Sequence, residues 1–371
     1  MLYLHIPYCH RKCSYCAFYS VVTSERRDAY IDALCCEIDQ RGDGRSLRTI
    51  YFGGGTPSML YPDELGRIVD AISRNFDISI VEEVTLEANP EDLTQEFLSE
   101  LSKNGFFNRL SIGVQSFDNR DLHIINRRHD AQQATEAVIN AAKAGFDNVS
   151  IDLIMGLPGQ TEETFENNLH QLGSLLCFGN IKHLSCYELS VEPGTILERQ
   201  IEMGRLQLAD DELLAREYKM IRDWCAEHGF EQYEVSNFSL QGFRSRHNSR
   251  YWNRTPYLGV GAGAHSFDGR CRRWNLSDVE LYSRSETAPF EEELLTAEDA
   301  FNEYVMTSLR TVEGIDKNIL NMLFPSGNYT AWLSKVNRFV DSGLLVDTAT
   351  HLLPTPEGLL HADGISASLF L

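Results

Sequence analysis

Three cysteines stand at the spacing CxxxCxxC in the stretch Leu2-Tyr-Leu-His-Ile-Pro-Tyr-Cys-His-Arg-Lys-Cys-Ser-Tyr-Cys16. The alternating segment 2–6 predicts a short strand, which Pro7 ends because proline fixes φ and donates no backbone hydrogen bond. Cys9, Cys13 and Cys16 are therefore expected on a loop at the carboxyl end of a strand. Three thiolates on such a loop can hold three irons of a cubane cluster and leave the fourth iron open to a small-molecule ligand.

The spacing alone leaves two kinds of metal site open. A structural zinc site usually takes four ligands, and His5 or His10 is available to complete a set with the three cysteines. Spacing motifs carry a false-positive risk, so an iron–sulfur cluster and a zinc ion are both compatible with this loop. A disulfide framework fits poorly because three cysteines leave one without a partner.

Composition and charge narrow the class of protein. The chain has 371 residues, of which 43% are hydrophobic, enough for one large domain and a smaller one. No apolar run of about eighteen residues appears, so we expect no membrane span, and the polar residues near the start argue against a signal peptide. The net charge of −21 disfavours nucleic acid as a partner. Nine cysteines without a disulfide pattern indicate the reducing cytoplasm.

Short apolar strands alternate with helical segments over the first half of the chain. This pattern predicts an α/β fold with βα units and a parallel sheet, and six units make an incomplete (β/α)6 barrel that is open on one side. The predicted strands are residues 2–6, 48–52, 83–88, 109–115, 148–154 and 183–189. The predicted helices between them are residues 24–40, 62–75, 94–104, 131–144 and 162–176.

Polar or glycine residues recur where four of these strands end. The loop 53–56 follows the second strand, Glu87 and Gln115 end the third and fourth, and Asp152 lies near the end of the fifth. Each alone is compatible with an ordinary turn or helix cap. Because the carboxyl ends of barrel strands carry the chemistry, four together predict a site. Carboxylates there can accept hydrogen bonds from an ammonium group or from ribose hydroxyls, and Arg127 can make bidentate hydrogen bonds to a carboxylate.

The cysteine motif at a strand-to-loop junction, with Tyr15 before the last cysteine, resembles the signature of radical S-adenosylmethionine (SAM) proteins. Over nearly its whole length the chain resembles the oxygen-independent coproporphyrinogen oxidase branch of that superfamily. The motifs that carry the resemblance are Tyr3-Leu-His-Ile-Pro-Tyr-Cys9, Gly53-Gly-Gly-Thr-Pro57, Gly113-Val-Gln-Ser-Phe117, Asn126-Arg-Arg-His129 and Ser150-Ile-Asp-Leu-Ile154.

The resemblance implies a cofactor and its ligands. Cys9, Cys13 and Cys16 would hold a [4Fe–4S] cluster whose open iron takes SAM through its amino and carboxylate groups. Arg128 stands where this branch usually has glycine. The residues implied for the SAM site are Tyr3, Tyr15, Gly54, Gly55, Thr56, Glu87, Gln115, Arg127 and Asp152.

A second motif resembles the haem-chaperone group within this branch. The segment Arg246-His-Asn-Ser-Arg-Tyr-Trp252 contains HNxxYW. A neutral imidazole of His247 can ligate iron, and Tyr251 and Trp252 can stack on a porphyrin. The haem residues expected from the motif are His247, Asn248, Tyr251 and Trp252. Residue chemistry alone favours a surface-loop histidine for His247 and a core residue for Trp252, and it is the family resemblance that favours the haem site.

We expect the haem site to lie apart from the cysteine loop, since the two motifs are distant in the chain. A basic patch would meet the propionates. Its members are Arg244, Arg246, Arg250, Arg254, Arg270, Arg272 and Arg273. The glycine-rich run 258–267 has no βαβ frame and is expected to pack its backbone closely against the barrel mouth.

Two departures separate the chain from the true oxidases. Those carry a further cysteine where this chain has Phe18, and they carry an N-terminal extension, whereas only eight residues precede Cys9 here. We therefore expect a haem chaperone that passes haem to acceptor proteins such as membrane respiratory enzymes. The alternatives are a coproporphyrinogen III dehydrogenase and a metal-stabilised interaction protein without either activity. The residues identify no catalytic group.

The acidic segment 286–299 marks a boundary. We expect a radical-SAM partial barrel over residues 1–235, a haem-motif and glycine-rich segment packed on it over 236–285, and a C-terminal domain over 290–371. Helices followed by a hairpin predict a smaller α+β, winged-helix-like domain there. From Leu295 onward the chain has nine acidic and four basic residues. This negative charge suits a lid or a partner-docking surface better than DNA binding.

Overall fold

The structure is a computed structural model that describes residues 1–23, 25–324 and 329–371. Its main body is a strand-and-helix alternation with three short 3-10 turns at Pro57–Met59, Pro90–Asp92 and Leu176–Phe178. The first six strands are β1 (Leu2–Ile6), β2 (Thr49–Gly54), β3 (Glu83–Ala88), β4 (Arg109–Gln115), β5 (Val149–Met155) and β6 (Ile181–Glu188). The helices among them are α1 (Arg27–Arg41), α2 (Pro62–Asn75), α3 (Gln95–Asn104), α4 (Asn119–Ile124), α5 (Ala131–Lys143) and α6 (Glu162–Leu175).

These six strands pair in parallel, in chain order from β1 to β6. The rest of the main body completes and flanks the sheet. Its elements are α7 (Ile196–Glu202), α8 (Asp211–Glu227), β7 (Glu231–Gln232), β8 (Asn237–Ser239), α9 (Arg246–Trp252), β9 (Leu258–Val260), β10 (His265–Phe267), β11 (Cys271–Asn275), α10 (Val279–Arg284) and β12 (Phe290–Leu294). Within the described residues, the outermost strands β7 and β9 do not pair with each other, so the sheet is an open, incomplete barrel.

The predicted barrel is confirmed, with small differences at element ends. The strands β1, β3 and β4 and the helix α2 have the predicted bounds, whereas β6 begins two residues earlier than expected. The first helix begins at Arg27, and Ser24, where we expected it to begin, lies outside the described residues. Along β3, β4 and β5, apolar residues such as Leu86 and Ile112 alternate with polar ones such as Ser111, so one face of the sheet is apolar and the other carries polar side chains.

The glycine-rich run packs its backbone closely against the barrel, as expected, since a Cβ on Gly261 would lie 2.5 Å from the carbonyl oxygen of His5. It also forms a strand that was not predicted. Its first residues form β9, a parallel edge strand beside β1, and the chain then turns back into β10. A Cβ on Gly259 would lie 1.9 Å from the carbonyl oxygen of His265, so only glycine permits this turn. The run therefore extends the sheet and also brings β10 to its edge.

The C-terminal part has a core of its own. Its elements are α11 (Ala297–Leu309), β13 (Ile315–Asp316), α12 (Lys317–Leu323), α13 (Tyr329–Asp341), β14 (Leu345–Asp347), β15 (His351–Pro354), α14 (Pro356–Leu360) and α15 (Ala362–Leu369). Phe301 and Trp332 are at its centre. The strands β14 and β15 form the predicted antiparallel hairpin, and β13 pairs with the other edge of β15. With the helices α11, α12 and α13 this is a winged-helix-like arrangement. None of the described helices has the length and hydropathy to cross a bilayer.

Candidate functional site

The cysteine loop follows β1 and is held at both ends by backbone hydrogen bonds. The N–H of Cys9 donates to the carbonyl of Val21 at 3.0 Å, and the N–H of Ser14 donates to the carbonyl of Ile125 at 3.0 Å. Cys13 and Cys16 are half-buried, as is Cys9, and all three are free thiols. The loop thus presents three unpaired sulfurs at the carboxyl edge of the sheet.

Two of these sulfurs are joined by a chain of polar side chains from neighbouring strand ends. The Thr56 hydroxyl donates to Cys9 Sγ at 3.4 Å, and Arg127 Nη1 donates to Cys13 Sγ at 3.5 Å. Asn89 connects the two donors: its Nδ2 donates to Thr56 Oγ1 at 3.1 Å, and its Oδ1 accepts from Arg127 Nη2 at 2.7 Å. Asn89 was not among the residues predicted for the site. Its position two residues after Glu87 on the same strand end was the available signal.

The thiols also influence one another. Burial raises the pKa of Cys16 to about 11, and charge on Cys13 and Cys9 adds to the shift. Burial likewise raises the pKa of Cys9. The raised pKa values disfavour free thiolates, and a bound cationic centre would offset this by displacing the protons, with the Thr56 hydroxyl and the Arg127 guanidinium as hydrogen-bond donors to the sulfurs. The donor set therefore fits a cluster with three thiolate ligands.

Glu87 lies across the strand ends from the cysteine loop. Its Oε1 accepts from the Tyr51 hydroxyl at 2.6 Å, and its Oε2 accepts from the N–H of Gly54 at 3.2 Å. Burial raises the pKa of Glu87 to about 7, and the carboxylate of Asp152 adds to the shift. Tyr51 was not among the predicted site residues.

Asp152 is the second buried carboxylate of the site. It accepts hydrogen bonds from Ser111 at 3.4 Å and from Ser150 at 3.5 Å. Burial raises its pKa to about 6. The two carboxyls lie on β3 and β5, on either side of β4, and can bind a cationic or hydroxyl-bearing ligand once they ionise.

Glycines let the backbone approach these groups. Gly54 has φ of 111°, and a Cβ there would lie 2.7 Å from the His5 ring. A Cβ on Gly55 would lie 2.7 Å from the carbonyl oxygen of Tyr8. The loop after β2 therefore has no room for side chains at these two positions.

The remaining residues expected at the SAM site lie around this edge. Gln115 has φ of 68°, a left-handed conformation that is uncommon for glutamine, and its Nε2 would lie 2.9 Å from a Cβ on Gly113. Tyr3 stacks on Tyr51 with ring centroids 6.2 Å apart. Tyr15 packs against a small apolar cluster, and burial raises its pKa.

The HNxxYW segment forms the helix α9. The Ser245 hydroxyl accepts from the N–H of Asn248 at 3.3 Å, and the carboxylate of Glu83 accepts from the N–H groups of Arg246 and His247 at 2.8 and 2.9 Å. A carboxylate at this end complements the helix dipole. Asn248 itself is half-buried on the helix.

His247 is buried, with 0% of the residue exposed. Its Nδ1 is hydrogen-bonded to Thr49 Oγ1 at 2.9 Å, and its Nε2 to the Tyr251 hydroxyl at 3.0 Å. Burial lowers its pKa to about 3. Neither ring nitrogen is free, so in this arrangement His247 positions Tyr251, and the expected iron ligand is not available here.

Tyr251 and Trp252 lie on two adjoining cavities. Tyr251 lines a cavity of about 610 Å³ that also contains Lys12, Ala17 and Phe18 of the cysteine loop. Trp252 lines a smaller one of about 130 Å³, and its buried indole N–H has no hydrogen-bond partner among the described residues. The HNxxYW helix and the cysteine loop thus share a cavity, which differs from the expectation of separate sites.

The expected basic patch is largely ion-paired. Arg254 donates to Glu303 of the C-terminal helix α11 at 2.5 Å, and Arg272 also pairs with Glu303. Arg246 donates to Glu82 at 2.8 Å. These acids were not considered at the level of sequence, because each is far from its arginine in the chain.

Comparison with known proteins places this geometry in a family. Residues 3–172 match the model of the Radical SAM superfamily, and residues 295–361 match the HemN C-terminal domain. A protein named heme chaperone HemW from Lactococcus lactis subsp. lactis (strain IL1403) is 36% identical over 361 residues, covering 96% of this chain and 93% of that protein. The chain belongs to the HemW family. A second HemW, from Bacillus subtilis (strain 168), is 36% identical and covers 87% of this chain and 89% of its own.

One solved structure has the same fold as this HemW family member. Coproporphyrinogen III oxidase (HemN) from Escherichia coli superposes with a TM-score of 0.84 at 24% identity, covering 100% of this chain and 89% of that chain. At this identity the likeness shows a common fold. Membership of the radical SAM superfamily implies a [4Fe–4S] cluster and SAM, and the three free thiols with their two donors fit that cofactor set.

Proposed function

We propose that this protein is a haem chaperone. In this proposal it binds haem and a SAM-ligated [4Fe–4S] cluster and passes haem to acceptor proteins, among them membrane respiratory enzymes. The names of its HemW relatives support haem as the cargo. The nine cysteines are free thiols, which supports a location in the reducing cytoplasm.

One observation carries the proposal: Tyr251 of the HNxxYW helix faces the same cavity as the cysteine loop. The cavity of about 610 Å³ lies within the usual range for small-molecule sites. Its wall includes the aromatic rings of Tyr3, Phe18 and Tyr19. Aromatic rings suit the apolar faces of a porphyrin, and Lys12 at the rim suits its propionates.

We assign the cluster to Cys9, Cys13 and Cys16. The thiol–donor chain through Thr56 and Arg127 supports this assignment. The SAM site is proposed at the surrounding strand ends: Tyr3, Tyr15, Gly54, Gly55, Thr56, Glu87, Gln115, Arg127 and Asp152. The ionised carboxyls there would accept hydrogen bonds from the ammonium and ribose of SAM.

For haem, we propose that α9 supplies part of the site. Tyr251 would contact the porphyrin, His247 and Asn248 would hold the helix in place, and Trp252 would support it from the adjoining cavity. The division into units at 1–235, 236–285 and 290–371 is likewise part of the proposal. The C-terminal unit carries Glu303, which pairs with Arg254 and Arg272, and we propose it as the docking element for acceptors.

Phe18 supports the chaperone over a coproporphyrinogen III dehydrogenase. It is 70% exposed and lines the cavity at the position where the oxidases are expected to carry a cysteine. A phenyl ring has no thiol to take part in proton or radical transfer. We therefore expect little or no conversion of coproporphyrinogen III.

The test is a pair of assays on anaerobically reconstituted full-length protein. Haem titration followed by absorbance should saturate at a defined stoichiometry, and chromatography with SAM and reductant present should detect no sustained formation of protoporphyrinogen. Sustained turnover would establish the dehydrogenase instead, and absence of saturable haem binding would reject the chaperone.

A matched pair of aromatic substitutions locates the haem. Tyr251→Ala removes a ring from the cavity wall and should weaken binding. Phe178→Ala removes an exposed ring that lines neither cavity and should leave binding unchanged. Equal effects of the two substitutions would show that haem binds elsewhere.

A further inference from the structure

Two histidines line the larger cavity, and they differ in how their ring nitrogens are used. His5 is buried, with Nδ1 hydrogen-bonded to the Tyr3 hydroxyl at 3.1 Å and Nε2 to the carbonyl of Tyr19 at 2.9 Å. His265 is exposed on the cavity wall, and neither of its ring nitrogens has a hydrogen-bond partner within residues 1–23, 25–324 and 329–371. Only His265 thus offers an unengaged imidazole to a ligand in the cavity.

The His265 ring is held in place. The residue lies on β10 directly opposite Trp274 of β11, and the two rings stack with centroids 5.9 Å apart. The turn before it is fixed, because Gly259 and Gly261 allow backbone contacts that no side chain would permit. A donor on a paired strand, with its ring packed on an indole, is preorganised for binding.

The protonation state of the His265 ring is also compatible with metal ligation. Partial desolvation by the cavity wall lowers the pKa of His265, and the nearby Arg272 lowers it further. The imidazole is therefore neutral at pH 7, which is the form that ligates iron.

The cavity that His265 faces can accommodate a planar aromatic ligand. Tyr3, Phe18, Tyr19, Tyr251 and Tyr257 line it, and Lys12 adds a cation. By contrast, His247 lies behind Tyr251 with both nitrogens bonded, and it would have to leave Thr49 and Tyr251 to reach the cavity.

We propose that His265, rather than His247, supplies the imidazole nitrogen that ligates the iron of a haem bound in this cavity. This inference rests on the proposed haem-chaperone function and assigns its iron ligand. In it, His247 is a positioning residue that holds the Tyr251 ring against the porphyrin, and the haem lies beside the cysteine loop.

The experiment uses full-length protein and haem itself as the probe. Haem is titrated into the parent protein and into the variants His265→Ala, His247→Ala and His170→Ala. Each complex is then examined by electron paramagnetic resonance and, in the ferrous state, by resonance Raman spectroscopy. His170 on α6 is the matched control, since its side chain is 74% exposed and lines neither cavity. Thermal melts of each apo variant check that it is folded.

We expect the His265→Ala complex to lose the iron–histidine stretching band. Its affinity for haem should fall roughly 10- to 100-fold, which is the loss of metal affinity found when a group that supports a metal ligand is removed. Added imidazole should restore the histidine-type spectrum. His247→Ala should keep the iron–histidine band while binding haem more weakly, and His170→Ala should match the parent.

The outcomes separate the two proposals. An unchanged spectrum and affinity in His265→Ala, or loss of the iron–histidine band in His247→Ala alone, overturns the ligand assignment and leaves the chaperone function standing. A parent protein that binds no haem rejects both. Loss of the band in His265→Ala with imidazole rescue supports both.

Discussion

Arg127 Nη1 donates a hydrogen bond to Sγ of Cys13 at 3.5 Å, across 114 residues of chain. The same guanidinium donates to Asn89 and to the carbonyl of Gly113, at 2.7 and 2.5 Å. These bonds fix the guanidinium beside one of the proposed cluster ligands. Hydrogen bonds and positive charge next to a thiolate ligand stabilise the more reduced, more negative form of a cluster.

Arg127→Gln should therefore make the midpoint potential of the reconstituted cluster more negative. A loss of about 1 kcal/mol of stabilisation corresponds to roughly 40 mV for one electron. The neighbouring Arg128 is the control, because it is exposed and pairs with Glu91 at 3.6 Å rather than with a sulfur. Redox titration followed by electron paramagnetic resonance measures both variants. An equal shift in Arg128→Gln would contradict the role of the contact.

SAM affinity should depend on pH through Glu87. Its pKa is raised to about 7 by burial, so the carboxylate that would bind the cationic ligand is mostly ionised at pH 8 and mostly protonated at pH 6. Affinity should fall about tenfold as the pH drops from 8 to 6, since the ionised fraction falls by about that factor. Asp152, with a pKa of about 6, extends the loss below pH 6.

Glu87→Gln separates this cause from others. The variant should bind SAM weakly at pH 8 and show little pH dependence between 8 and 6. Equilibrium binding to the reconstituted protein at the two pH values is the measurement. If Glu87→Gln retains the parent's tenfold change, another group is responsible.

Local signals were sufficient to predict most of the barrel. The strands β1, β3 and β4 and the helix α2 have the predicted bounds because their own residues mark the ends, as Pro7 does after β1 and Pro62 does at the start of α2. The positions of Glu87 and Gln115 at strand ends also follow from this pattern.

Contacts between distant segments were not predictable in the same way. Nothing near His247 in the sequence indicates that Thr49, 198 residues away, binds its ring. The 3.0 Å contact with Tyr251 was more accessible, since residues four apart share one face of a helix. Glu303, which neutralises Arg254 and Arg272, lies in another part of the chain. Free arginines were therefore expected where the fold pairs them.

The tight packing of the glycine loop after β2 predicts that a side chain there lowers the free energy of unfolding. A Cβ on Gly55 would lie 2.7 Å from the Tyr8 carbonyl oxygen and 2.9 Å from that of Ile6, and backbone atoms cannot move aside cheaply. We expect Gly55→Ala to lower the free energy of unfolding by about 1–3 kcal/mol. Denaturant unfolding of the apo protein, followed by circular dichroism, measures the change.

Gly66 is the matched control. It lies inside α2, and a Cβ there would meet no atom of the described residues within 4 Å. Gly66→Ala should raise the free energy of unfolding by about 0.5–1 kcal/mol, because alanine favours a helix interior. Gly55→Ala with unfolding like the parent's would show that the loop has more room than the contacts indicate.

The free energy of unfolding should depend on pH through the buried imidazole of His247. Burial lowers its pKa from 6.5 to about 3, so below pH 6.5 the unfolded state binds a proton that the folded state does not. The unfolded state is then favoured increasingly as the pH falls from 6.5 towards 3. The contribution reaches at most about 2 kcal/mol at pH 5 relative to pH 7.5.

At neutral pH, His247→Ala should lower the free energy of unfolding by about 1–3 kcal/mol, because it leaves the Thr49 and Tyr251 hydroxyls without their buried partner. As the pH falls to 5, the difference between parent and variant should shrink, because the variant has no imidazole to protonate. His170→Ala removes an exposed imidazole and should follow the parent at both pH values. Chemical denaturation at pH 7.5 and pH 5 gives all six free energies. A difference between parent and His247→Ala that stays constant or grows on acidification would show that the imidazole is not held neutral by burial.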